Sequence, residues 1–236
     1  MKILWIVPIT GPDDADVKKR QELLGDYLFP GTDVVFRQVV RGTESIESRV
    51  DEVYATLPVL DEAVRGEEEG FDACVIACAG DAGVAQAKEL LRIPVVGPGE
   101  SSILISQIIG RRVVFLSSLP ERIPSLEEKI LRYIPPHQFV IYPTNIPVAL
   151  FRRDISGTIE KLTGIIEKSI EKDRADTAIL CCLSMAGMAA EVQKRVQIPV
   201  IDPAVAAISM AQIMVKMKLS QAKGAYPSPP AKERFI

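Results

Sequence analysis

Two stretches of this chain run in step. "ACAGDAGVAQAKELLRIPVVGPG" occupies residues 77–99 and "CCLSMAGMAAEVQKRVQIPVIDPA" residues 181–204. With Cys78 laid on Cys182, Ala82-Gly83 falls on Ala186-Gly187 and Ala85 on Ala189. After one inserted residue, Ile93-Pro94-Val95 falls on Ile198-Pro199-Val200 and Pro98 on Pro203. An internal repeat of this kind constrains the fold more than any composition does, because two copies of one supersecondary unit must fold alike.

The unit is legible around the repeat. Short β-branched runs alternate with longer amphipathic ones, the pattern of a parallel sheet with crossover helices. Strands are predicted over 3–8, 33–37, 73–78, 94–97, 112–116, 139–142, 177–182 and 199–202. Helices are predicted over 14–27, 46–68, 83–91, 101–109, 125–133, 155–172, 187–196 and 203–218. The expected fold is therefore α/β. It has two similar three-layer halves, each with a four-stranded, mainly parallel sheet, related by a pseudo-twofold axis with the site between them. Residues 1–98 form the first half, joined by the C-terminal helix at about 203–220; residues 99–202 form the second, and 221–236 are an irregular, Pro-rich tail.

At 236 residues, 47% apolar and 25% charged, the chain can bury a core for two such halves. The net charge is −3 and no Lys/Arg run exceeds three residues, which argues against nucleic acid or an anionic membrane surface as partner. No apolar run approaches the ~18 to 20 residues of a membrane span. "MKILWIVPIT" reads as a buried first strand rather than a signal peptide, so a cytoplasmic protein with reduced cysteines is expected. A homo-oligomer is compatible with the sequence, which does not set the number of subunits.

The four cysteines fall as Cys74 with Cys78 and Cys181 with Cys182, and the only histidine is His137. Neither spacing suits a structural zinc site, and one histidine supports a Ser-His-Asp device poorly. Cys78 and Cys182 fall at the carboxyl ends of matching strands, where open parallel sheets bind ligands. Small residues and then a helix follow each, and a helix N-terminus is expected to lower a nearby thiol pKa. Two halves packed face to face would show one ligand a thiol on each side. A thiolate that removes an α-proton and a thiol that returns one to the other face make a two-base racemase. Buried free cysteine is otherwise a small hydrophobe. Cys74, mid-strand, reads that way, and so does Cys181, which should point to the opposite side of its strand from Cys182.

Cys78-Ala79-Gly80-Asp81-Ala82-Gly83, followed by "IPVVG", resembles the first cysteine motif of the aspartate/glutamate/hydantoin racemase superfamily, closest to its hydantoin racemase branch. Cys181-Cys182-Leu183-Ser184-Met185, followed by "IPVIDP", is similar to the second motif. "GTESIESRVDE" at 42–52 and "SSLPERIP" at 117–124 also resemble family segments. The resemblance implies a cofactor-independent racemase or epimerase that uses Cys78 and Cys182 on a small molecule with a carbonyl-activated α-carbon, with no metal. It places Thr10, Ala79, Gly80, Ser117, Ser118, Leu183 and Ser184 around the substrate. The chain departs from the branch after the first strand. Val7-Pro8-Ile9-Thr10 replaces an N-P-N-T loop, and Leu183 and Ser184 stand where small residues are usual. Two other readings remain at this point: a cysteine-dependent isomerase or lyase of maleate isomerase type, and a two-lobed binding protein without catalysis. Asp81 and Asp202 are expected to orient helix ends, and His137 to lie exposed.

Overall fold

The computed structural model describes residues 1–232. Eight strands form two separate, wholly parallel sheets. The first joins β1 (Lys2–Val7), β2 (Asp33–Gln38), β3 (Ala73–Ile76) and β4 (Val95–Val96) in the order β2-β1-β3-β4. The second joins β5 (Val113–Ser117), β6 (Phe139–Pro143), β7 (Thr177–Leu180) and β8 (Val200–Ile201) in the order β6-β5-β7-β8. Shifting each strand number by four converts one order into the other, so the topology is duplicated as the sequence is.

Period-2 burial sorts the side chains onto two faces of each sheet. Ile3, Trp5 and Val7 of β1 point into one core with Leu24 of α1 (Asp14–Gly25) and Ala204, Ala207, Ile208 and Ala211 of α8 (Pro203–Met217). Leu4 and Ile6 point the other way, onto Val59 and Ala63 of α2 (Arg49–Glu68) and Val84 and Ala87 of α3 (Val84–Leu90). α2 comes so close to β1 that a Cβ on Gly66 would stand 2.4 Å from Leu4 Cδ2. In the second sheet Val113 and Phe115 face α4 (Pro98–Ile109) and α5 (Ile123–Ile130). Val114 and Leu116 face α6 (Ile155–Asp173) and α7 (Ala189–Gln193). Each fully buried Leu or Ile of these layers contributes about 1.5–3 kcal/mol of hydrophobic stabilisation.

α4 and α8 follow the last strand of each half, lie at the centre of the molecule and pack on one another. Their buried faces carry small residues, Ser101, Ser102 and Ser106 on α4 and alanines on α8, which lets the backbones approach. No helix of the described residues is long and apolar enough to cross a membrane.

Several boundaries differ from those predicted. β3 and β7 stop at Ile76 and Leu180, two residues before the cysteines; after β3 the chain turns, and Cys78 N–H donates to Ile76 O at 2.8 Å. The helix predicted over 187–196 is only Ala189–Gln193, preceded by a 3-10 turn at Leu183–Met185. α4 starts earlier than predicted, at Pro98, where proline suits the first helical turn and Glu100 reaches back to Gly97 N–H. From 218 to 232 the chain has neither helix nor strand; the predicted irregular tail continues to 236, and residues 233–236 lie outside the described part. That tail is nonetheless tied down. Gln221 Nε2 donates to Leu91 O and Ile93 O, and Lys223 Nζ donates to Lys88 O and Glu89 O.

Candidate active site

A cavity of about 500 Å³ opens at the carboxyl ends of four strands, two from each sheet. After β1 come Pro8 and Ile9, and after β3 the Cys78 loop; at the end of β5 come Ser117 and Ser118, and after β7 the Cys182 loop. Cys78, Ala79, Gly80, Ser117, Ser118, Cys182, Leu183 and Ser184 all lie on this wall. Thr10 does not. It is exposed, its N–H donates to Thr43 O, and Ile9 takes the place on the wall.

The two thiols sit in matching turns. Cys78 O accepts from Asp81 N–H at 2.9 Å, and Cys182 O from Met185 N–H at 3.0 Å, the same three-residue step in each. Cys181 and Cys182 pack against cores on opposite faces of the second sheet. Cys181 also touches the cavity. Burial pushes the Cys74 and Cys181 thiols up to about 12.

The lowered pKa expected for the paired thiols is not found. Burial pushes both up, and this outweighs what pulls them down. For Cys78 the opposing groups are Arg122, the Gly80 amide and Lys129; for Cys182 they are the Ser184 amide and hydroxyl, Arg20 and Arg122. The helices that follow start several residues later, α3 at Val84 and α7 at Ala189, and a helix dipole acts within about one turn.

The charged wall was not legible in the sequence. Arg20, Arg49, Lys88, Arg122, Lys129 and Arg132 line the cavity with Glu52, Asp81, Glu100 and Glu128. Four pairs form: Arg49–Glu128 at 2.5 Å, Lys88–Glu100 at 2.6 Å, Arg122–Glu52 at 2.8 Å and Lys129–Asp81 at 2.5 Å. Lys129 Nζ, from the second half, also donates to Ala79 O at 2.8 Å and so braces the Cys78 loop of the first. The tail places Tyr226 on the wall, its ring 5.3 Å from Lys88 Nζ. Asp202 caps α8 through Ala204 N–H, Asp81 accepts from two N–H groups at the start of α4, and His137 is exposed. Among the described residues, no group of three or more His, Cys, Asp or Glu is placed to hold a metal.

Fold and cavity together are those of a racemase, an isomerase. The chain superposes on the allantoin racemase from Klebsiella pneumoniae with a TM-score of 0.90 at 28% identity, over 98% of this chain and 94% of that one. A hydantoin racemase from Pseudomonas sp. (strain NS671) is 36% identical over 206 residues, 87% of this chain and 83% of the relative. A second, from Paenarthrobacter aurescens, is 32% identical over the whole of both chains. The family model described as Asp/Glu/Hydantoin racemase matches residues 17–211, and the chain belongs to that family.

Proposed function

We propose that this racemase inverts a carbonyl-activated stereocentre of a hydantoin-type ring by proton transfer between Cys78 and Cys182. One observation carries the reading: two cysteines in matching turns, one from each half, on the wall of one cavity. The relatives supply the ring class, since they are hydantoin and allantoin racemases. In such a ring the reacting C–H adjoins a carbonyl. A thiolate on one face takes the proton, and the electron pair moves into the carbonyl to give an enolate. The thiol on the opposite face then donates its proton to that carbon, so the thiolate and thiol have exchanged places. Backbone N–H groups of the Cys78 and Cys182 loops are our candidates to hold the enolate oxygen. Both reacting groups belong to the chain, and the scheme calls for no cofactor.

Proton NMR of single enantiomers of 5-substituted hydantoins in deuterated buffer tests this. The expected result is loss of the α-hydrogen signal together with optical rotation, unaffected by a chelator. Rotation lost without deuterium incorporation, or activity removed by chelator and restored by metal, would overturn it. A nucleophilic isomerase or lyase would instead show a covalent adduct on one cysteine.

A further inference from the structure

The four ion pairs of the cavity wall consume all four of its carboxylates and four of its six cations. Arg132 and Arg20 remain. Arg132 lies exposed at the rim, where water screens it. Arg20 does not: its Nε is buried without a hydrogen-bond partner, and among the described residues its guanidinium makes no ion pair. The Cys182 thiol, when ionised, attracts it most, and Asp16, one turn back on α1, does so more weakly from beyond pairing distance. Arg152 repels it from behind the Cys182 loop, where that side chain donates to Ala186 O. Burial lowers the Arg20 pKa, but an arginine remains charged near neutrality. A second orphan stands on the same wall, Arg122 Nη1, whose sister Nη2 is held by Glu52. Both arginines follow the first strand of their half.

Arg20 is half-buried, and its buried Nε is a donor left unsatisfied, which is costly unless an acceptor in the cavity completes it. No group of the described chain does so, and Arg20 faces the cavity beside Cys182. We propose that Arg20 is the anion-recognition residue of the site. The substrate carries, on the ring whose stereocentre reacts, a carboxylate that pairs with Arg20 on the Cys182 side. A planar carboxylate matches the guanidinium fork, and the pairing is charge-assisted on both partners. The proposal rests on the racemase reading for the kind of ring, not for the charge.

The probes are hydantoin-5-acetic acid and its primary amide, which differ by one charge at nearly constant shape. Calorimetry should show the acid bound at least tenfold tighter than the amide. Arg20→Met should level the two by weakening the acid while the amide still binds, and the melting temperature should hold or rise, since an unsatisfied donor is removed. Arg20→Lys should keep part of the preference. Equal binding of acid and amide, binding of neither, or a preference that survives Arg20→Met would overturn the proposal. So would an Arg20→Met variant that binds both probes normally but alkylates at Cys182 only at higher pH, because Arg20 would then serve the thiolate. Preferential binding of the acid with no exchange of its α-hydrogen would instead sink the proton-transfer reading and leave this one standing.

Discussion

The two halves fasten the same thiol turn to the following helix by opposite wiring. In the first half the carboxylate belongs to the loop. Asp81, three residues after Cys78, accepts from Gly99 N–H at 2.8 Å and Glu100 N–H at 2.7 Å, the N-terminus of α4. In the second half it belongs to the helix. Asp202 caps α8 and reaches back to Gly187 N–H at 2.6 Å, beyond Cys182. Under the repeat alignment Asp81 corresponds to Met185 and Gly97 to Asp202. Where one half has the carboxylate, the other has an apolar side chain or none. A Cβ on Gly97 would lie 2.4 Å from Asp81 Oδ1, so the first half has room for only one of the two arrangements. The shared requirement is a negative charge on a helix N-terminus behind each thiol, and either end of the contact can supply it.

The compensation differs as well. Lys129 from the opposite half pairs with Asp81, with side-chain exposures of 13% and 9%. Among the described residues Asp202 makes no ion pair; burial pushes its carboxyl up, against the pull of the Gly187, Ala204 and Val205 amides and the more distant Arg152. The Cys78 loop is therefore tied across the halves by an ion pair, while the Cys182 loop reaches across by apolar packing, with Leu183 and Ala186 in the core of β1 and α1.

The largest effect expected from breaking the symmetry is on turnover. Cys78→Ala and Cys182→Ala should each lower racemisation by about 10²–10⁴-fold, the usual worth of a positioned acid or base. One variant at near-normal rate would show that the duplicated thiols are not equivalent partners.

Next comes the wiring. Gly97→Ala should destabilise the fold by about 1–3 kcal/mol through overpacking against Asp81. Gly97→Asp should cost more, by bringing two carboxylates together. Adding Asp81→Gly, which copies the second half's arrangement at a position whose φ is +56°, should recover part of the loss. Urea melts of the wild type, Gly97→Asp, Asp81→Gly and the double variant give the coupling directly; additive effects would mean the two positions do not exchange roles.

This swap marks where sequence reading stopped. The repeat was legible because chemistry tied Cys, Gly and Pro to fixed steps, and the alternation of β-branched and amphipathic runs gave strands and helices. The two-residue overrun of β3 and β7 arose because Ala77-Cys78 and Cys181-Cys182 look like strand; after β3 the turn is set by the backbone bond of Cys78 to Ile76 O. Arg20, Arg122 and Lys129 gave no signal: charged residues on amphipathic helices normally face water, and only tertiary packing turns these inward. Tyr226 reaches the wall through Gln221 and Lys223, whose bonds run to backbone carbonyls and so leave no pattern in the chain. Thr10 was expected at the substrate from a motif, but the residue before it is the one on the wall.

A smaller effect compares thiols inside and outside the site. Cys74 is buried in the first half, and Cys181 borders a core of the second. Burial raises both from 9.0 to about 12, so each stays neutral in the fold and ionises on unfolding in alkali. Their stabilising contribution is complete below about pH 9 and falls as pH rises towards 12. Urea midpoints taken across that range should drop, and Cys74→Ala should flatten the drop. A slope unchanged by that substitution would mean that Cys74 ionises as freely in the fold as outside it.

The most direct measurement is α-hydrogen exchange of each enantiomer in deuterated buffer by the two single cysteine variants, followed by proton NMR. With two bases, each surviving thiolate serves its own face: Cys78→Ala should exchange one enantiomer, Cys182→Ala the other, each far faster than it racemises. Exchange of the same enantiomer by both variants, or Cys181→Ala proving as damaging as Cys182→Ala, would contradict the pairing of Cys78 with Cys182.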